Sequence, residues 1–239
     1  MHCKACQAEL DTTKTLGKKN DYDLIPCPNC GTVTISPFPT IEQLNEFYQS
    51  YYTSESYRSK EDKKVKRSKR RIKKIMKYAK GDAFLDIGCN QGSTFIAAME
   101  LGLKAHGIDI DAEAIMDCQQ RFGIKHFNAI STEAYAQLGN KADIIYTSEV
   151  IEHVHNPDVF VQALRDILNK DGVLYLTTPD MGHFTLPKDI TKWEAVKPPE
   201  HIVYFTKKGI KILLEKHGFK IEKFFFSLKP GIKLIARKQ

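Results

Sequence analysis

From residue 83 onward, short apolar runs alternate with longer stretches of helical periodicity. AFLDIG (83–88), AHGIDI (105–110), KHFNAI (125–130), ADIIYTS (142–148) and GVLYLTTP (172–179) read as strands. STFIAAMELG (93–102), AEAIMDCQQRFG (112–123), a short polar stretch at 131–139 and PDVFVQALRDILN (157–169) read as the helices between them. The strands are almost continuously apolar rather than alternating, so both of their faces need cover. Strand–helix alternation of this kind predicts an α/β domain on a doubly wound parallel sheet. Further on, Thr206 is placed to cap KKGIKILLEKH, and Gly218 to end that helix. FKIEKFFFS and IKLIARK flank a Leu-Lys-Pro-Gly turn and read as a terminal antiparallel hairpin.

Upstream of residue 83 the pattern changes twice. Residues 1–36 hold little core-forming sequence but carry 3-CKAC-6 and 27-CPNCG-31. Cys3, Cys6, Cys27 and Cys30 thus form two knuckles with two residues between the thiols of each pair. Four thiolates fill a tetrahedral Zn²⁺ shell, which predicts a structural metal in a small zinc ribbon. Residues 37–80 read as a helical connector. Thr40 and Gln43 have capping-box spacing, and Ile41, Leu44, Phe47 and Tyr48 share one helical face. Val65, Ile72, Ile75, Met76 and Ala79 then draw an apolar stripe along a second, basic helix. The division expected is ribbon 1–36, connector 37–80 and main domain 81–239.

Charge sharpens this division. Residues 58–80 hold 13 Lys/Arg against 2 acids, so the chain's +7 less this local +11 leaves −4 for the remainder. A basic segment on a mildly acidic body suits RNA, an anionic small acceptor or a membrane surface; a plain solvated helix face is the bland reading. The totals, 42% apolar and 27% charged, are those of a globular protein, and no run is long enough to span a bilayer. The polar, cysteine-bearing opening MHCKACQAEL lacks a leader's apolar core, so a cytoplasmic location is expected.

The chemistry is concentrated in 84-FLDIGCNQGSTF-95. The spacing is not that of a dinucleotide loop, whose second glycine would fall at Asn90, and no Gly-Lys-Ser/Thr follows as in a phosphate loop. Asp86 would also set a negative charge beside a polyanion. A carboxylate here suits a ligand that presents an ammonium. Asp109 lies 21 residues beyond Gly88, where an acid at the second strand's end accepts both hydroxyls of a ribose. A ribose with an amino-acid head and no phosphate is S-adenosylmethionine.

With these residues in hand, 86-DIGCNQG-92 and 107-GIDID-111 resemble the first two motifs of class I S-adenosylmethionine-dependent methyltransferases. The resemblance runs in order over residues 70–239, through Asp143, 147-TSEVIEHVHNP-157 and the terminal hairpin. It implies a Rossmann-like seven-stranded sheet. By the same resemblance Asp86, Gly88, Cys89 and Gly92 surround the methionine portion, Asp109 the ribose, Asn128 and Ala129 the adenine, and Thr147 the sulfonium end. Asn90 stands where the family usually has a middle glycine.

On the acceptor side, 148-SEVIEHV-154 resembles the Glu…Glu-His stretch of the methyltransferases that modify ubiquinone precursors and their relatives. His153 is a candidate base at neutral pH. Glu149, Glu152 and His153 together could instead hold a divalent cation that acidifies the acceptor. His201, in 198-PPEHIVYFT-206, could face His153 across the site. Residues 180–200, with Phe184 and Trp193, form a long loop expected to cover the acceptor. Thr147-Ser148-Glu149-Val150 stands where nitrogen methyltransferases of this fold carry Asp/Asn-Pro-Pro-Tyr, which favours oxygen. Chains with a ribbon and this domain occur among enzymes that methylate sugars or other small metabolites. The expected function is therefore methyl transfer to a small-molecule or glycan acceptor. The rivals are an RNA methyltransferase that grips RNA with ribbon and basic helix, and a non-catalytic zinc-ribbon binding protein.

Overall fold

The computed structural model describes residues 1–51 and 61–239; the start of the basic segment, residues 58–60, lies outside them. The main sheet has seven strands in the order β10-β11-β8-β7-β4-β5-β6. These are β4 (Ala83–Ile87), β5 (Lys104–Asp109), β6 (Phe127–Ala129), β7 (Ala142–Ser148), β8 (Leu168–Pro179), β10 (Phe219–Phe224) and β11 (Gly231–Lys238). Strands β4 to β8 pair in parallel, and the hairpin β10–β11 adds two antiparallel strands against β8.

Successive strand residues feed opposite faces, as the period of two demands. Phe84, Ile144, Tyr146, Val173 and Tyr175 pack with the helices α2 (Glu61–Ile75), α3 (Ser93–Met99) and α4 (Ala112–Phe122). Leu85, Ile87, Ile145, Leu174 and Leu176 pack on the other side with α5 (Thr132–Gln137), α6 (Pro157–Ile167) and α7 (Lys207–Lys216). The doubly wound α/β sheet is thus present, with helices on both faces.

A second sheet of four strands, in the order β1-β2-β3-β9, contains β1 (Lys18–Lys19), β2 (Tyr22–Pro26), β3 (Val33–Ser36) and β9 (Val203–Tyr204). Asn20 and Asp21 turn the first hairpin at φ 48° and 66°, the left-handed conformation such tight turns need. Contrary to the expectation of little core sequence before residue 36, Leu24, Ile25, Val33 and Ile35 are fully buried. They belong to the same apolar cluster as Leu174 and Leu213 of the main domain. The ribbon achieves this by borrowing β9, a strand from 170 residues downstream that no local pattern announces.

Helix ends follow the sequence closely. Thr40 and Gln43 form the reciprocal capping box at the start of α1 (Ile41–Tyr51), with bonds of 2.9 and 3.2 Å. Leu44 is buried but Ile41 is 54% exposed, and the Tyr48 side chain lies outside the described residues. Helix α2 ends at Ile75, so Met76 falls off the predicted stripe and is exposed, whereas Val65, Ile72 and Ile75 are buried. Helix α6 ends two residues before the predicted Asn169. Leu168 turns to extended backbone and pairs with Ala142, its side chain fully buried. No described helix is long and apolar enough to cross a membrane.

Candidate active site

Above the carboxyl ends of β4, β5 and β7 lies a cleft of about 880 Å³. Its size is at the upper end for small-molecule sites, roomy enough for a nucleoside and an acceptor together. The floor is the loop after β4. Gly88 has φ 72°, and a Cβ there would stand 2.5 Å from Val150 Cγ2. Asn90 keeps the left-handed conformation at φ 45°, which asparagine tolerates better than other non-glycine residues. The residue that departs from the family therefore preserves the loop's path. Gly92, at φ 77°, starts α3, and Cys89 is buried against Gly107.

Two carboxylates flank this loop. Asp109 accepts from the Asn90 N–H at 2.8 Å and the Asp111 N–H at 3.0 Å, which fastens the loop to the end of β5. Asp86 is 3% exposed, and its Oδ2 has no hydrogen-bond partner among the described residues. Burial, then the nearby Asp109, raises Asp86 well above the ordinary carboxyl range; burial also raises Asp109. An unpaired buried carboxyl aimed at a cleft is a group waiting for a donor. Thr147 is buried in β7 beneath the cleft, and the next residue, Ser148, reaches its wall. Asn128 and Ala129 are not among the lining residues; the Asn128 carboxamide oxygen instead meets His106 Nε2 at 2.8 Å.

The far end is lined by Tyr146, Ser148, Glu149, His153 and Glu200. Glu149 sits at φ 59°, and its carboxylate accepts from Thr177 Oγ1 at 2.7 Å. A short 3-10 turn, Ile151–His153, then buries Glu152 completely, with Oε2 accepting from Thr178 Oγ1 at 2.9 Å. His153 Nδ1 meets the Glu200 carbonyl at 2.8 Å. A carbonyl can only accept, so in the neutral ring Nδ1 carries the hydrogen and Nε2 the lone pair. Burial lowers His153 and, with His153 beside it, lowers His201 to about 3, so both rings are neutral at physiological pH. The two rings meet edge to face at 4.6 Å.

The structure thus brings His201, rather than Glu149, to the Glu152–His153 pair. One ligand atom from each of the three lies within 4.8 Å of the others. Glu152 Oε1 and His201 Nδ1 are buried without a hydrogen-bond partner among the described residues. A carboxylate and an imidazole with orphaned atoms, beside a second imidazole, fit a divalent cation. Of the long loop, only Glu200 lines the cleft; Phe184 is 74% exposed, and Trp193 packs against the core.

Sequence reasoning missed a whole wall. Lys64, Arg67, Ser68 and Arg71 of α2 line the cleft, and Arg71 Nη1 donates to Tyr146 Oη at 2.9 Å. The i, i+3, i+7 spacing of these cations was the available signal, hidden within a run of thirteen. On the opposite side of the fold the four ribbon cysteines converge. Cys3 and Cys30 Sγ are 3.6 Å apart and Cys6 and Cys27 Sγ 3.4 Å. A tetrahedron of Zn–S bonds needs sulfur separations of about 3.8 Å, so the four thiols fit Zn²⁺ with little adjustment.

Comparison with known proteins agrees with this geometry. A family model described as "Methyltransferase domain" matches residues 57–223. The ubiquinone biosynthesis O-methyltransferase of Glaesserella parasuis is 34% identical over 107 residues, 41% of this chain and 45% of that protein. The Brucella anthropi protein of the same name is 26% identical over 157 residues, 58% of this chain and 63% of its own length. The chain thus spans less than two thirds of these curated relatives. Among solved structures, magnesium protoporphyrin IX methyltransferase from Synechocystis, with bound S-adenosylhomocysteine, superposes with a TM-score of 0.58 at 17% identity, over 83% of this chain and 95% of that one. The PH0226 protein of Pyrococcus horikoshii gives 0.60 at 17% identity, over 81% and 99%. The chain therefore belongs to the methyltransferase-domain family, and its fold is that of the S-adenosylmethionine-dependent methyltransferases.

Proposed function

We propose that the chain transfers a methyl group from S-adenosylmethionine to an oxygen of a small-molecule or glycan acceptor. The observation that carries the reading is His153 at the acceptor end of the cleft, backed by the buried Glu152 and His201, with an unpaired Asp86 carboxyl at the other end. The O-methyltransferase name of the curated relatives supports oxygen as the target.

In this reading Asp86 accepts from the cofactor's ammonium and Asp109 from the ribose hydroxyls. The Gly88–Gly92 backbone closes on the methionine portion, and Thr147-Ser148 flank the sulfonium. Transfer breaks the sulfonium S–CH₃ bond and forms the O–CH₃ bond. The acceptor's hydroxyl proton passes to His153 Nε2, and S-adenosylhomocysteine leaves. The Glu200 carbonyl fixes the tautomer that leaves this nitrogen basic. Alternatively, a divalent cation held by Glu152, His153 and His201 would occupy that same nitrogen and acidify the hydroxyl in place of the base. Cys3, Cys6, Cys27 and Cys30 would hold a structural Zn²⁺ with no open position for chemistry.

The decisive assay offers labelled S-adenosylmethionine with a small-metabolite extract and, in parallel, total RNA. Label in metabolites supports the reading, and label in RNA favours the RNA-methyltransferase rival. His153→Ala should keep S-adenosylhomocysteine binding and lose about 10²- to 10⁴-fold in turnover, the usual worth of a positioned base. Unchanged turnover would reject that role. Chelation that abolishes turnover while the ribbon keeps its zinc would favour the cation over the base. A chain that binds no cofactor at all would instead be the non-catalytic zinc-ribbon protein.

A further inference from the structure

The wall supplied by α2 has more positive charge than the cofactor can use. Lys64, Arg67 and Arg71 occupy positions i, i+3 and i+7, so one helical stripe faces the cleft, and all three line it. The neighbouring stripe of Val65, Ser68, Ile72 and Ile75 is buried, with Ser68 Oγ 3.1 Å from Thr94 Oγ1 of α3. That packing fixes which cations look inward. A fourth cation, Lys233, comes from β11. Its residue pairs in register with Thr177, the donor to Glu149, which sets it beside the acceptor end.

These groups are neutralised only in part. Arg71 donates to a phenol, Tyr146 Oη, and Lys233 Nζ donates to a hydroxyl, Ser227 Oγ, at 3.2 Å. Burial, then Arg71 and later Arg67 and Lys74, lowers the Lys233 ammonium, with Glu149 opposing. Like charges are therefore crowded here at a standing electrostatic cost. Asp86 and Asp109 cradle the loop after β4, Glu149 offsets Arg71 and Lys233 in part, and Glu200 lines the far end. S-adenosylmethionine brings one carboxylate, which one cation satisfies. Arg67 and Arg71 on the wall, with Lys233 close to both, offer a second anion a place to dock.

We propose that the methyl acceptor is an anionic small molecule, whose phosphate or carboxylate docks on Arg67, Arg71 and Lys233 while its hydroxyl meets His153. This rests on the methyl-transfer reading above and adds the charge of the substrate. Arg67 and Arg71 face one cleft, with Lys233 of a second element close to them, instead of tracking along a continuous open face, which separates this site from a groove for a nucleic-acid backbone. Phosphate and carboxylate share the chemistry; a guanidinium pair suits either.

The test uses the full zinc-loaded chain with S-adenosylhomocysteine or labelled S-adenosylmethionine. In the first arm, protein saturated with S-adenosylhomocysteine is titrated with inorganic pyrophosphate and, separately, with a dihydroxybenzoate. Saturable binding of one or both is expected, and which binds distinguishes phosphate from carboxylate. Arg67→Gln and Lys233→Gln should each weaken it about tenfold while the S-adenosylhomocysteine Kd stays the same. Absence of binding, or affinity indifferent to both substitutions, overturns the proposal. In the second arm, a metabolite extract is split on an anion-exchange resin before labelled methyl transfer. Label in the retained anionic fraction, with KM raised and kcat unchanged in the two variants, supports it. Label confined to the neutral fraction, or nuclease-sensitive label from added RNA, overturns it and leaves methyl transfer standing. Failure to bind S-adenosylhomocysteine at all would strike the underlying activity, a separate and recognisable outcome.

Discussion

Replacing Asp86 by asparagine should move stability and cofactor affinity in opposite directions. The carboxyl is 3% exposed, and its Oδ2 has no partner among the described residues. An unpaired buried polar group costs about 1–3 kcal/mol, and more when charged. Asparagine keeps the shape and removes the charge. The cofactor-free protein should therefore gain about 1–2 kcal/mol, or roughly 2–8 °C in melting temperature for a chain of this size. Affinity should fall, because the lost group is the proposed partner of the cofactor's ammonium. A hydrogen bond to a charged group is worth about 1.5–3 kcal/mol, so the Kd should rise roughly 10- to 150-fold. The pH dependence has a definite sign. A carboxyl raised above its ordinary value of 3.8 keeps its proton in the folded state where the unfolded chain has released it. Cofactor-free stability thus falls as pH rises from 3.8 to the raised value and then levels, and Asp86→Asn should flatten that slope. Thermal melts across this range, with and without S-adenosylhomocysteine, read all three effects. A variant that melts lower when empty yet binds the nucleoside with unchanged Kd would make Asp86 a structural residue and refute the electrostatic argument.

Two further perturbations probe other parts of the chain. Gly88→Ala combines a left-handed φ of 72° with a Cβ 2.5 Å from Val150 Cγ2. It should cost about 1–2 kcal/mol from backbone strain alone, plus the clash, and weaken cofactor binding. Adding Val150→Ala should restore only the clash portion; full rescue would show that the backbone conformation is unimportant. Metal analysis of chain purified without chelator should find one zinc bound by the four ribbon cysteines. Stripping it, or Cys27→Ser, should lower the melting temperature of the whole chain in one transition, because ribbon and main domain share a core. A separate early transition with methyl transfer intact would show that the ribbon is an independent appendage.

What the sequence disclosed was whatever is encoded locally. Every predicted strand of the main sheet is present in whole or in part; the one expected at 125–130 is cut to Phe127–Ala129 because Ile124–His126 form a 3-10 turn. The glycine loop was legible because Gly88 and Gly92 must take positive φ, and Asn90 was a tolerable substitute for the same reason. Relations between distant segments were not legible. Glu200 reaches the cleft through a carbonyl that orients His153, 47 residues away. Backbone groups leave no signature in side-chain chemistry. The exchange of Glu149 for His201 in the cluster follows from φ 59° at Glu149, which sends its carboxylate to Thr177 instead. The α2 stripe was concealed by abundance: with thirteen cations in the segment, the three that face inward differ from the rest only in what lies opposite them.

One short segment ties these findings together and gives the ribbon a mechanical reason to exist. Between residues 200 and 206 the chain orients His153 through the Glu200 carbonyl and contributes His201 to the cluster. It then donates the Ile202 N–H to the Glu152 carbonyl at 3.0 Å. The next two residues, Val203 and Tyr204, are β9, paired with Thr34 and Val33 of the ribbon. Thr206 finishes the run by donating to the Cys30 carbonyl at 2.6 Å and capping α7 through the Gly209 N–H. A cluster of neutral imidazoles and a buried glutamate needs its atoms held to within a fraction of an ångström. The 3-10 turn that carries Glu152 and His153 is too short to hold itself. With Zn²⁺ held by the four cysteines, the knuckle would give the opposing strand a rigid edge, and the proposed acceptor chemistry would then depend on a metal that never touches the acceptor.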